Sequence, residues 1–113
     1  MNLISSLKLI EKKSKFFAYL YEVSSEDEVQ LIISKLKKDH KKAAHICYGL
    51  ILDKEEKFKN DGEVGNPGRA LIDTLKENNK DSHLLIVARI FGGIKLGPGG
   101  VSRAFRAAGR ALF

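Results

Sequence analysis

The sequence predicts an α/β (α+β) domain in which four to five strands form a sheet and about three helices pack on it. Two patterns predict this class: short apolar or alternating runs of strand length, and longer runs with apolar residues at helical spacing. They follow one another roughly in the order βαββαβα, with a further N-terminal strand predicted from the run LISSLKLI. The chain of 113 residues contains no internal repeat or linker, so we expect one domain over residues 1–113 and no second domain.

The N-terminal half predicts a strand, a helix and a hairpin. The run KFFAYLYEV alternates its side chains between two faces, as a strand does. The next run begins with Ser25 as N-cap and Glu28 three residues later, a capping box. Its apolar positions repeat at helical spacing: Val29, Ile32, Ile33 and Leu36. HICYGLIL then predicts a second strand, and KFK predicts a short hairpin partner for it.

The C-terminal half predicts two helices on either side of a strand. Asn66 is placed to cap a helix that has Pro67 at its first position. HLLIVARIF is almost continuously apolar, which is typical of a strand covered on both faces or placed centrally in the sheet. The final run, GVSRAFRAAGRALF, predicts a helix with an apolar stripe and an opposite cationic stripe. The apolar stripe comprises Val101, Phe105, Ala108 and Leu112, and the cationic stripe comprises Arg103, Arg106 and Arg110.

The composition excludes several classes of protein. The single cysteine, Cys47, precludes an intramolecular disulfide and a cysteine-based zinc cluster, and its apolar strand indicates a buried thiol. No apolar run reaches the ~18 residues of a membrane helix, and the N-terminus lacks the apolar core of a signal peptide. We therefore expect a cytoplasmic protein, and no motif predicts a cofactor.

The charge is basic and unevenly distributed, with a net value of +6. Residues 83–113 contain no acid and five cations: Arg89, Lys95, Arg103, Arg106 and Arg110. Such a one-signed segment attracts phosphate, carboxylate or nucleic acid, although the same residues could form only a solvated basic surface. The segment KKSKFF interleaves cations with aromatic residues, which suits either RNA binding or an ordinary strand.

A glycine-rich loop joins the almost continuously apolar strand to the last helix. The run ARIFGGIKLGPGGVSRAF holds five of the ten glycines within nine positions. It matches neither standard nucleotide motif, because G-x-G-x-x-G needs a glycine where Ser102 stands and the Walker motif needs a lysine at Pro98. Glycines before a helix can still bring free backbone N–H groups to an anion. We therefore predict an anion site here, with a tight corner packed against the sheet as the alternative.

An acidic turn lies in the run NDGEVGN, where Asp61 and Glu63 flank Gly62. Carboxylates this close can bind a divalent cation, but the EF-hand pattern is absent and a turn with solvated acids is the alternative. Asp61 and Glu63 are thus only weak metal candidates, and we predict no metal site. His45 has no partners in a catalytic arrangement nearby, so the sequence identifies no catalytic residue.

These segments together resemble the N-terminal domain of the IMPACT/YigZ family. The resemblance runs in one order from about Leu7 to the C-terminus. It is carried by Lys13-Ser14-Lys15-Phe16, Ala43-Ala44-His45, Asp61-Gly62-Glu63 and RIFGGIKLGPGG. The chain departs from the family pattern in the acidic turn, with Asn60 for an acid and Val64 for a proline, which puts a metal role of the turn in doubt. Ile90 replaces a tyrosine, which removes an aromatic ring from that position.

The resemblance implies a two-layer sandwich with a mixed sheet, similar to domain IV of elongation factor G and to a ribosomal small-subunit protein domain. It implies no settled enzymatic activity. Eukaryotic relatives act in translational control by binding a co-activator of a stress-responsive kinase, and bacterial relatives have been suggested to bind nucleic acid. We therefore expect a non-enzymatic domain that binds RNA or a ribosome-associated surface, with a protein partner in translational control as a further expectation. The alternative is an enzyme or binding protein for a phosphorylated metabolite or nucleotide that the glycine-rich loop holds.

The loop, the basic segments and the resemblance define one predicted site. Its anion- or nucleic-acid-binding residues are Lys13, Ser14, Lys15, His45, Arg89, Gly92, Gly93, Lys95, Gly97, Gly99, Gly100, Arg103, Arg106 and Arg110. The acidic turn is expected beside them.

Overall fold

Five strands and three helices follow one another along the chain, and the computed structural model describes all of residues 1–113. They are β1 (Asn2–Glu11), β2 (Ser14–Glu22), α1 (Glu26–Asp39), β3 (His45–Leu52), β4 (Glu55–Lys59), α2 (Pro67–Glu77), β5 (His83–Ile90) and α3 (Gly97–Arg110). The α+β class is confirmed, and the predicted N-terminal strand is β1. No helix combines the length and the apolar character that a membrane crossing requires.

The strands form one sheet in the spatial order β1-β2-β5-β3-β4. Every neighbouring pair is antiparallel, so the expectation of a mixed sheet was wrong. Tight turns join β1 to β2 and β3 to β4, which makes both pairs antiparallel. β5 lies between β2 and β3 and runs opposite to both of them, so the most apolar strand takes the centre of the sheet.

Helices cover both faces of this sheet, so the fold has three layers and not the two that the resemblance implied. α2 and α3 pack on one face, and α1 packs on the other. Leu85 and Val87 of β5 face α2 and α3, whereas Leu84 and Ile86 face α1. The continuous apolar run of β5 therefore reflects burial on both faces, as its pattern predicted.

The starts of α1 and α2 confirm one predicted cap and correct another. Ser25 Oγ accepts a hydrogen bond from the Glu28 N–H at 3.3 Å, as the capping box predicted. Asn66 occupies the N-cap position of α2, but its side chain makes no capping hydrogen bond because it accepts one from Asn60 Nδ2 instead. Asn60 Oδ1 accepts from the Gly68 N–H at 2.8 Å, so the preceding turn supplies the cap of α2.

Four connections meet at one end of the sheet, which we call the loop end. The pairs Lys15–Ile90 and His45–Arg89 place the start of β2, the end of β5 and the start of β3 together there. The loop end consists of residues 12–13, 40–44, 60–66 and 91–96. We call the opposite end the far end; it consists of the connections 23–25, 53–54 and 78–82. Most of the predicted site therefore lies at the loop end.

Gly49 in β3 marks the closest approach of the sheet to α2. A Cβ at this position would lie 2.8 Å from Ile72 N and 3.0 Å from the Leu71 carbonyl carbon. Because both are backbone atoms, Gly49→Ala should lower the free energy of unfolding by about 1–3 kcal/mol, measured by urea denaturation. In the control Gly109→Ala, the Cβ would meet only the ends of leucine side chains such as Leu85, and the loss should be smaller. Equal losses in the two variants would contradict this explanation.

Candidate functional site at the loop end

A buried ion pair lies at the loop end, on the face of the sheet that α2 and α3 cover. Arg89 Nη1 donates to Glu63 Oε2 at 2.8 Å, and the two side chains are only 6% and 4% exposed. Ser14 Oγ accepts from Arg89 Nη2 and from the Gly92 N–H, both at 3.3 Å. One guanidinium therefore connects β5, the start of β2 and the acidic turn.

Hydrogen bonds hold the acidic turn, residues 60–66, against the start of β3. Asp61 Oδ2 accepts from the Ile46 N–H at 2.7 Å, and the Asp61 carbonyl accepts from His45 Nδ1 at 2.7 Å. His45 Nε2 lies 3.7 Å from Glu63 Oε2. Protein donors thus engage both carboxylates of the turn. Nowhere do three His, Cys, Asp or Glu side chains converge to hold a metal ion.

One donor of this cluster has no partner. Arg89 Nε is buried and makes no hydrogen bond. The guanidinium carbon lies 5.6 Å from the Phe16 ring centroid and 5.7 Å from that of Phe91. Phe16 is fully buried, whereas Phe91 is 49% exposed. Phe91 is therefore the outer cover of a buried cation with an unused hydrogen-bond donor, the kind of group that calls for an explanation.

A groove of about 360 Å³ lies next to this cluster at the start of α3. It is lined by Val64, Arg89, Phe91, Lys95, Leu96, Gly97, Pro98 and Val101. The first turn of α3 contains no acid, and no side chain caps it. Its free N–H groups therefore favour an anion at this edge of the groove. The acidic turn reaches the same helix start, because a Cβ on Gly65 would collide with the Pro98 carbonyl.

The glycine-rich loop also packs tightly against the first hairpin. A Cβ on Gly92 would collide with the backbone of Lys13, so only glycine fits at this position. Gly93 and Gly97, by contrast, have open space around them. The loop therefore forms the tight corner that the sequence offered as one alternative, at Gly92, and it leads into an uncapped helix start; the anion site stays a prediction.

The predicted cations fall into three groups. Arg89 is buried in its ion pair, and four others are exposed without an ion pair: Lys13, Lys15, Lys95 and Arg103. The remaining two, Arg106 and Arg110, are held by acids of α2. Arg106 lies 3.6 Å from Asp73, and Arg110 lies 2.9 Å from Glu77.

The cationic stripe of α3 is therefore not uniform. Arg106 and Arg110 share the two acids of α2, and Arg110 lowers the pKa of Glu77 by donating hydrogen bonds to it. Arg103 instead folds back over the first turn of α3, beside Gly99 and Gly100. The structure brings Arg103 to the predicted anion site and holds the other two arginines against α2.

Unpaired cations are concentrated at the loop end, and eight of the 14 acids lie at the far end. The loop end also holds Glu11, which is exposed and forms no ion pair, and three acids that protein donors engage: Asp39, Asp61 and Glu63. The unpaired cations in or next to the loop end are Lys12, Lys13, Lys15, Lys37, Lys38, Lys41, Lys42, Lys59, Lys95 and Arg103. The acids in or next to the far end are Glu22, Glu26, Asp27, Glu28, Asp53, Glu55, Glu77 and Asp81. The predicted set omitted six of these lysines: Lys12, Lys37, Lys38, Lys41, Lys42 and Lys59. The basic run KLKKDHKK was a signal for four of them, but only the strand order brings that run beside the glycine-rich loop.

A family model described as the Impact N-terminal domain matches residues 12–113, a range that includes everything from β2 to α3. The chain belongs to the IMPACT family. This match confirms the resemblance found in the sequence motifs. β1 lies outside the matched range.

IMPACT relatives of this chain occur in bacteria and eukaryotes. It is 38% identical over 102 residues to the IMPACT family member YvyE of Bacillus subtilis, covering 87% of this chain and 47% of the relative. It is 40% identical over 94 residues to the protein IMPACT homolog of Dictyostelium discoideum, covering 77% of this chain and 27% of the relative. The chain thus spans about half of the bacterial relative's length and less of the eukaryotic one.

Two solved structures share the fold of this IMPACT-family chain. A crystal structure of a hypothetical protein has a TM-score of 0.90 at 23% identity, covering 96% of this chain and 55% of that chain. The two-domain translational regulator Yih1 has a TM-score of 0.56 at 22% identity, covering 94% of this chain and 44% of that chain. At these identities the likeness establishes the fold.

Glu63→Gln tests the buried ion pair. The variant keeps the shape of the side chain but leaves the Arg89 charge buried without a counter-charge, so it should lower the free energy of unfolding by about 3 kcal/mol or more. Urea denaturation at neutral pH measures this loss. The control Glu77→Gln removes an exposed partner of Arg110, and because solvent screens that pair the loss should be much smaller. Similar losses in both variants would show that the buried pair has no special role.

Proposed function

We propose that this domain binds RNA through its loop end, without catalysing a reaction, as part of translational regulation. The observation that carries the proposal is the separation of charge along the strands, with unpaired cations at the loop end and acids at the far end. Phosphate contacts by lysine and arginine supply most of the affinity of such binding. Acids at the far end favour approach of a polyanion by the loop end alone.

The chemistry of the loop end suits a phosphodiester chain. The uncapped first turn of α3 offers backbone N–H groups, and Arg103 and Lys95 add charge beside it. Phe91 and Ile94 are exposed apolar side chains in the same loop, and a base can stack on the Phe91 ring. Charge and an aromatic surface therefore occur together, as in proteins that bind single-stranded nucleic acid.

The family supports the biological setting of this proposal. Yih1, which shares the fold, is described as a translational regulator. RNA is the principal polyanion of the translation machinery, so a basic loop end fits that setting. The chain covers about half of its bacterial relative. RNA binding by this domain is consistent with a protein partner bound elsewhere on the whole protein. It is also consistent with the cytoplasmic location expected from the sequence.

RNA binding should be steeply salt-dependent and sensitive to the loop-end cations. Titration of labelled RNA across salt concentrations should give a negative slope of log K against log salt, which shrinks by about 0.7 for each removed contact to a single strand. The test variants are Lys12→Asn with Lys13→Asn, then Lys95→Gln with Arg103→Gln. Asparagine suits the first pair because both lysines have left-handed backbones, with φ of 45° and 66°.

The matched control removes two cations from the far end, Lys54→Asn with Lys80→Gln, which should leave affinity and slope nearly unchanged. Absence of RNA binding by the wild-type protein at about 50 mM salt would contradict the proposal. Equal weakening by the loop-end variants and the far-end control would contradict it as well, because the affinity would then follow net charge alone.

A second candidate function, binding of a phosphorylated metabolite or nucleotide, is favoured by the unpartnered Arg89 Nε under Phe91. A phosphate at the start of α3 would lie near Lys95, with the rest of the ligand in the adjoining groove.

A thermal-shift screen with nucleoside mono- and triphosphates, with and without Mg²⁺, tests the second candidate. A true ligand at 100 times its Kd stabilises the protein by about 2.7 kcal/mol. Lys95→Gln should reduce the shift, whereas Lys80→Gln should not. No shift with any of these nucleotides would count against a nucleotide ligand.

A further inference from the structure

We infer that a second groove of the loop end, on the α1 side of the sheet, is a base-stacking subsite for single-stranded RNA. The inference rests on the proposed RNA function and adds a site that lies outside the glycine-rich loop. The groove has a volume of about 490 Å³. It is lined by Phe17, Lys38, Asp39, His40, Lys41, Lys42 and Ile90, and we call it the α1-side groove.

Aromatic rings provide a stacking surface in the α1-side groove. The rings of Phe17 and His40 are stacked, with centroids 4.4 Å apart. Tyr19 Oη lies 2.7 Å from His40 Nε2 and holds the imidazole in place. Burial lowers the pKa of His40 and raises the pKa of Tyr19, so near neutral pH the phenol is protonated and the imidazole is neutral. The stacked pair is therefore a preorganised, uncharged surface.

Cations surround this surface. Lys38, Lys41 and Lys42 are exposed and form no ion pair. Asp39, the acid that lines the groove, is held by Lys35 at 2.6 Å, and this hydrogen bond lowers the pKa of Asp39. The carboxylate is thus neutralised by a neighbour on its own helix, and the groove keeps a positive field.

The aromatic surface and the unpaired lysines together favour single-stranded RNA as the ligand of the α1-side groove. An apolar peptide would leave the three lysines without partners, and an inorganic anion would leave the aromatic surface unused. Single-stranded RNA brings phosphates and bases together at short spacing, so it matches both features. Phosphates would contact the lysines while one base stacks on the Phe17–His40 pair and displaces Lys8, whose Nζ lies 5.7 Å from the Phe17 ring centroid.

The α1-side groove is also continuous with the loop-end surface already described. Ile90 lines this groove, whereas its neighbour Phe91 lines the groove at the start of α3. The two grooves thus meet across the end of β5, one on each face of the sheet. An RNA strand that passes over the loop end would reach both.

The experiment uses a single-stranded RNA of about 12 nucleotides that contains the fluorescent base 2-aminopurine, which is quenched on stacking. Wild-type protein should quench it on binding. Phe17→Leu keeps an apolar side chain but removes the ring, so quenching should weaken to what a base on the Phe91 ring contributes and affinity should fall about tenfold. Lys41→Gln with Lys42→Gln, both exposed, should reduce the salt slope by about 1.4 without affecting folding. The far-end control, Lys54→Asn with Lys80→Gln, should leave quenching and slope unchanged.

The outcomes separate the two proposals. If the wild-type protein does not bind the RNA, the proposed function fails and this inference fails with it. If the wild type binds and Lys95→Gln with Arg103→Gln weakens binding, but the Phe17 and Lys41/Lys42 variants behave as the far-end control does, only the α1-side groove is overturned. Binding that is lost with the lysines but shows no quenching in any protein would overturn the stacking subsite as well.

Discussion

The loop end depends on the buried ion pair between Arg89 and Glu63. A guanidinium at the end of the central strand can be buried only with a counter-charge, and Glu63 supplies it from a turn that follows a different strand. The same guanidinium donates to Ser14, which also accepts from the Gly92 N–H. Two strands, the acidic turn and the glycine-rich loop are therefore positioned by one side chain. Both acids of the turn therefore have structural roles: Glu63 pairs with Arg89, and Asp61 accepts a hydrogen bond from the Ile46 N–H at the start of β3.

The internal pairing of charges determines which charges remain outside. Glu63 neutralises Arg89, and acids of α2 hold Arg106 and Arg110, so these arginines contribute little free positive charge. The lysines of the first hairpin and of the α1–β3 connection have no such partners. The unpaired cations are therefore concentrated where the loops meet, on both sides of the end of β5. The two grooves of the loop end lie among them.

Local patterns predicted the elements well because their causes are local. The capping box at Ser25 and the apolar stripe of α3 depend on spacings of three or four residues, and both are present in the structure. Predictions that needed partners distant in sequence were less complete. Asn66 does not cap α2, because Asn60 Oδ1 from the preceding turn accepts the hydrogen bond from the Gly68 N–H instead. Arg110 of the cationic stripe is paired with Glu77, which lies 33 positions earlier in the chain.

By itself the sequence determined the secondary structure, the family and the glycine-rich loop before α3, since propensity, periodicity and motif order are all properties of neighbouring residues. Tertiary structure alone decided that every neighbouring strand pair is antiparallel, which helix covers which face of the sheet and that Arg89 is buried against Glu63. It also decided which cations are free, because an ion pair forms only where the fold brings an acid within reach. The strand order places the run KLKKDHKK beside the glycine-rich loop, and no local pattern contains that order.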